Sequence, residues 1–164
     1  MIKILLDADA SIKLTKINLI GILATGFEIL LTSEVYDEHV TAGLKKDYND
    51  AKVIKTLIDN RNITVVKVAK RSSVHDNFRL GRGETSIMNY CLTNNVDMIV
   101  SDDEAFLKIL DKYDVIFTPV AGAVLMSVVH GLINKEKGLK YLESLKPMIR
   151  DEHMFYIKSK IEDL

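Results

Sequence analysis

The sequence predicts an α/β fold, a parallel sheet with helices on both faces, on three grounds. Apolar runs of strand length recur at residues 2–6, 28–32, 63–68, 97–100 and 114–117. These runs are too uniformly apolar to alternate, the mark of strands covered on both sides. Segments of helical period lie between them, and such alternation gives right-handed crossovers and a parallel sheet. Third, acids stand where the first and fourth runs stop, at the edge where parallel sheets bind ligands.

The first run, Ile2-Lys3-Ile4-Leu5-Leu6, ends in Asp7 and Asp9. Either aspartate suits the cap of a following helix, but one cap suffices and two acids are present. Helical period follows over residues 18–25. After the second run a helix is expected over 34–45, carrying Glu38, which alone reads equally as a solvated helix acid or a ligand. A helix over 51–60 leads to the third run. Gly81-Arg82-Gly83-Glu84 then opens a helix whose apolar positions Ile87, Met88, Cys91 and Leu92 fall three, four, seven and eight residues after Glu84. That phase sets Glu84 on the inward face, one turn before the apolar stripe.

The fourth run meets Ser101-Asp102-Asp103-Glu104. Ser101 and Glu104 have capping-box spacing for a helix over 104–112, which leaves both aspartates without a structural task. Asp103 in the first turn would gain only about 0.3–1 kcal/mol from the helix dipole. Beyond Pro119 the pattern is wholly helical, over 121–130, 135–149 and 154–161, with Pro119 at a helix start and Gly131 past a helix end. This last third is expected to be packing or partner surface.

A chain of 164 residues is most simply one domain, here an α/β core over 1–118 with a helical extension over 119–164. A chain of that size buries roughly 70% of its unfolded surface, so it needs no disulfides. The single cysteine, Cys91, reads as a small buried hydrophobe, and a reducing, cytoplasmic location is the expectation. Six residues precede Asp7, too few for the apolar core of a signal peptide, and no membrane span is expected. Lys and Arg total 22 against 23 acids, so no global basic field exists and any nucleic-acid site must be local.

Acids converging on one cleft need a counter-ion. Two carboxylates about 4 Å apart repel by about 4 kcal/mol at an effective dielectric of 20, a penalty that a divalent cation removes. Oxygen-only donors favour Mg²⁺ or Mn²⁺, since no cysteine or histidine pair has zinc-ligand spacing. Such an ion can activate water for attack on a phosphodiester.

Leu5-Leu6-Asp7-Ala8-Asp9-Ala10-Ser11-Ile12, the helix acid Glu38 after the second strand, Gly83-Glu84 before an apolar helix, and Ser101, Asp103 and Phe106 together resemble the motifs of PIN-domain ribonucleases. The likeness is greatest to the branch related to VapC-type toxins and covers nearly the whole chain. It implies a three-layer α/β/α sandwich with five parallel strands. It also implies a metal-binding, catalytic quartet of Asp7, Glu38, Glu84 and Asp103, with Asp102 and Asp9 as supporting or substitute ligands. The activity implied is Mg²⁺- or Mn²⁺-dependent cleavage of RNA, usually by a homodimer and often by a toxin paired with a small antitoxin. The chain departs from the branch at His153-Met154, where glycine is common, and at Ser101, where threonine is commoner.

A nuclease also needs cations near its acids. Arg79 and Arg82, together with the motif hydroxyls Ser11 and Ser101, are the candidate substrate contacts, and the segment 70–82 is the candidate groove wall. His75 is a weak candidate base; His39, His130 and His153 have no spacing suited to a metal or a triad.

The nearest rival is a haloacid-dehalogenase-like phosphatase. It would use Asp7 and Asp9 as nucleophile and acid/base, Thr32 or Ser33 at the phosphate, and Asp102 and Asp103 on Mg²⁺, but it leaves Glu38 and Glu84 without roles. A phosphoacceptor receiver domain expects an aspartate after a middle strand, where Lys67-Val68-Ala69 supplies none. A non-catalytic PIN-like module that binds RNA or protein is the remaining alternative.

Overall fold

The computed structural model describes residues 1–69 and 78–164. Its strands are β1 (Lys3–Leu6), β2 (Glu28–Thr32), β3 (Ile63–Val66), β4 (Met98–Val100) and β5 (Phe117–Thr118). They form one sheet, parallel throughout, in the order β3-β2-β1-β4-β5. Ile4, Leu5 and Leu6 are each at most 1% exposed. Successive strand side chains face opposite ways, so both faces of the sheet are covered, as the unbroken apolar runs require.

The sheet order reverses at β1, and Leu6 pairs with Val100, so β1 and β4 end level. The Asp7 N–H reaches the Val100 carbonyl at 3.3 Å, and the chain leaves both strands side by side. This is the crevice at which an open parallel sheet places a ligand.

Helices α1 (Ala8–Lys16) and α2 (Ile20–Gly26) connect β1 to β2. The helix expected over 34–45 is three pieces: α3 (Ser33–Tyr36), a π-helical turn (Asp37–Thr41) and α4 (Ala42–Lys45). Then come α5 (Asn49–Asp59), α6 (Arg82–Thr93) and α7 (Glu104–Lys112). The fifth strand begins later than its apolar run, because Asp114 takes a left-handed φ of 54° and the Val115 N–H still bonds back to Leu110.

The C-terminal helices are α8 (Val120–Val129), α9 (Lys135–Leu145) and α10 (Asp151–Glu162). Pro119 caps α8, and Gly131 follows its end at φ 69°, both as the punctuation predicts. The helix expected to run on to residue 149 stops at Leu145, and Pro147 sits in a 3-10 turn. Helix α8 buries Val120, Ala121, Ala123 and Val124 and packs against α1, α2, α9 and α10. Among the described residues no helix is long and apolar enough to cross a membrane. Lys70, Arg71 and His75 lie outside the described residues.

Candidate active site

Asp7 is the N-cap of α1, its Oδ1 accepting the Ala10 N–H at 2.6 Å. The residue is only 8% exposed, and burial pushes its pKa up to about 6. Hydrogen bonds from Ser101 and Ala10 oppose that rise, while the charges of Asp9 and Asp102 add to it.

Asp103 is the N-cap of α7, its Oδ1 accepting the Phe106 N–H at 2.8 Å. The capping box expected of Ser101 and Glu104 does not form. The helix starts at Glu104, so the residue before it caps, and Ser101 lies too far back. Its hydroxyl accepts the Asp103 N–H at 3.1 Å and also bonds to Asp7, steadying both aspartates from a fully buried position. Glu104 turns outward to Arg150 and Lys108.

Glu38 sits in the π-helical turn, and its Oε1 accepts the Gly83 N–H at 3.0 Å. A Cβ on Gly83 would meet Glu38 Oε2 at 2.5 Å, so only glycine permits the approach. One residue on, Glu84 folds back to accept the Gly81 N–H at 2.9 Å. It is half-buried, as its helical phase predicts; burial raises its pKa, the Gly81 bond opposes this, and Asp103 and Glu38 raise it further.

Asp7, Glu38, Glu84 and Asp103 thus line one cleft of about 280 Å³ together with Asp9 and Gly83. Each of the four spends a carboxylate oxygen on a backbone N–H. Glu38, Glu84 and Asp103 have no other hydrogen-bond donor among the described residues. As the side chains stand, no three His, Cys, Asp or Glu among the described residues are close enough to hold one ion. The donor set, carboxylate only and partly desolvated, fits a hard divalent ion.

The remaining candidates fall elsewhere. Asp102 has both oxygens hydrogen-bonded, Oδ1 accepting the Val120 N–H at 2.9 Å and Oδ2 accepting Lys13 Nζ at 2.8 Å, so it fastens α8 and α1 to the sheet edge. Asp9 is an exposed rim acid paired with Lys13 at 2.5 Å. Ser11 is fully buried with its Oγ 2.9 Å from His39 Nδ1, and Ser101 is equally enclosed. Neither hydroxyl is exposed, although both are candidate substrate contacts. Arg79 is exposed; Arg82 is exposed and lines a neighbouring hollow with Glu34, Leu80 and Thr85.

The phosphatase rival loses Thr32 as its phosphate hydroxyl and is left with half-buried Ser33. Thr32 Oγ1 is buried, accepting the Val35 N–H and bonded to Ser86 Oγ at 2.6 Å, and both Asp102 oxygens are hydrogen-bonded.

Sequence reasoning missed Gly83, Lys13 and Arg150. Lys13 follows Asp9 by four residues on a helix, a legible pairing signal. Arg150 offers none, since the C-terminal third reads as packing or partner surface, yet Met148, Ile149 and Arg150 line a hollow with Asp7 and Asp103. No curated protein matches the chain. A family model described as a PIN domain matches residues 3–162.

Proposed function

The chain belongs to the PIN-domain family, whose members are generally metal-dependent nucleases, and on that premise we propose that it is a divalent-metal-dependent endoribonuclease. The observation that carries the reading is the lining of one cleft by Asp7, Glu38, Glu84 and Asp103 at the carboxyl edge of the sheet. Held by these four side chains, Mg²⁺ or Mn²⁺ would neutralise their charge, activate the attacking water and stabilise the leaving oxygen of a phosphodiester.

The chain supplies the rest. Ser101 and the Ala10 N–H fix Asp7, the Phe106 N–H fixes Asp103, and the Gly83 N–H fixes Glu38, so the acids are oriented before substrate arrives. Exposed Arg79 and Arg82 flank the α6 start that carries Glu84 and are suited to backbone phosphates. The branch resemblance adds a toxin role, with a homodimer and a small antitoxin as partners.

Purified protein incubated with a mixed RNA pool should cleave it with Mn²⁺ and stop with chelator. Glu84→Gln keeps an oxygen for the Gly81 N–H but removes the charge, and should lower the rate more than about 100-fold. A Glu84→Gln rate equal to that of the unmodified chain would remove Glu84, and with it this cleft, from the cleavage. Absence of cleavage with either ion would leave a non-catalytic binding module.

A further inference from the structure

Three of the acids that line the candidate active site also line a second hollow. Asp7, Asp9 and Asp103 border a space of about 400 Å³ completed by Lys13, Asp102 and the run Met148-Ile149-Arg150. Its two cations differ in kind. Lys13 is held between Asp9 at 2.5 Å and Asp102 at 2.8 Å, with a side chain only 13% exposed, so it is spent on neutralising them. Arg150 has a side chain 54% exposed, paired at 2.7 Å with Glu104, itself 52% exposed.

An open pair of that sort holds little, about 0–1 kcal/mol, so the guanidinium can exchange Glu104 for another anion at small cost. Its planar fork matches a phosphate. Half-buried Met148 and Ile149 lie next to it in the chain and give the hollow an apolar side. A polyanionic chain lying across four carboxylates is repelled there and needs an exchangeable cation beyond them, and Arg150 offers one in the hollow that shares Asp7, Asp9 and Asp103 with the cleft.

We propose that this hollow is the track by which single-stranded RNA passes from the acidic cleft, with Arg150 binding a backbone phosphate flanking the scissile bond and Met148-Ile149 packing against a base. The assignment rests on the nuclease reading above. It gives the C-terminal turn a substrate-positioning role, and Glu104 becomes the resident anion that RNA displaces.

The test measures binding of a fluorescein-labelled, mixed-sequence, single-stranded oligoribonucleotide to the full chain carrying Glu84→Gln, across a salt series. Adding Arg150→Gln should weaken binding and reduce the slope of log affinity against log salt by about 0.7, the loss of one single-strand phosphate contact. Adding Glu104→Gln instead frees the guanidinium and should tighten binding. In the chain with Glu84 intact, Arg150→Gln should raise KM with kcat little changed. If Arg150 serves only to anchor Glu104, both substitutions shift affinity the same way, and the proposal fails. An unchanged salt slope overturns it equally. RNA bound through Arg150 by a chain that never cuts would refute the nuclease reading and leave the phosphate contact standing.

Discussion

Asp7 is held in a place that favours its neutral form. Its pKa is pushed up to about 6 from 3.8, chiefly by burial. A carboxyl raised in the folded state binds its proton more tightly there than in the unfolded chain, so ionising it works against folding. The penalty is fully present above the folded value, shrinks as pH falls between about 6 and 3.8, and is gone below 3.8. At 1.36 kcal/mol per pKa unit it is on the order of 3 kcal/mol at neutral pH. Asparagine keeps the cap to the Ala10 N–H without the charge. Asp7→Asn should therefore melt higher than the unmodified chain at neutral pH without metal, lose that advantage below 3.8, and cut no RNA. A lower melting temperature for the variant at neutral pH would contradict the account.

At the scale of elements, the unusual piece is the π-helical turn that carries Glu38. Wide turns of this kind are short and are over-represented at functional sites. Two contacts brace this one. On one flank His39 is bonded through Nδ1 to Ser11 of α1 and through Nε2 to Asp50 of α5, at 2.9 and 3.0 Å. The order Ser, His, Asp looks like a nucleophile with its base, but Ser11 is fully buried and His39 is 2% exposed, so the array works as a strut. Burial also holds His39 below its usual pKa, against the pull of Asp50, which suits a neutral imidazole in that role. On the other flank Gly83 lets α6 approach the Glu38 carboxylate. Gly83→Ala favours the helix by about 0.5–1 kcal/mol in propensity yet drives a methyl into Glu38. It should leave the fold standing and lower nuclease activity about tenfold or more, as a displacement near 1 Å at a catalytic group does. Equal activity would mean that Glu38 need not be held where it is.

At the scale of the molecule, the sheet order brings together acids separated by 96 positions in the chain. Asp7 and Asp103 meet because β1 and β4 are neighbours ending level; Glu38 arrives on the connection after β2, which is the other neighbour of β1. The resulting charge is concentrated while the chain as a whole carries a net charge of only −1. A ligand that binds only the folded state stabilises it by about 2.7 kcal/mol at 100 times its Kd, or about 5–10 °C for a chain of this size. Mg²⁺ or Mn²⁺ should raise the melting temperature by that order, chelator should reverse it, and Glu38→Gln should reduce it. A melting temperature indifferent to both ions would remove the metal from the account.

The sequence by itself determined the parallel sheet, because unbroken apolar runs such as Ile4-Leu5-Leu6 are stable only when covered on both faces. It marked Asp7, Glu84 and Asp103 as well, since Glu84 carries its inward phase in the spacing to Ile87 and Met88 and the two aspartates stand at strand ends, whereas Glu38 stood out only through the family resemblance. Tertiary structure decided how each acid is held. The division between Asp102, tied to Lys13 and the Val120 N–H, and Asp103, capping α7, depends on where that helix starts and on residues far along the chain. The same holds for Gly83 against Glu38 and for Arg150 beside the acids. Periodicity records burial within one element, whereas these contacts join elements distant in sequence, and only packing sets their distances.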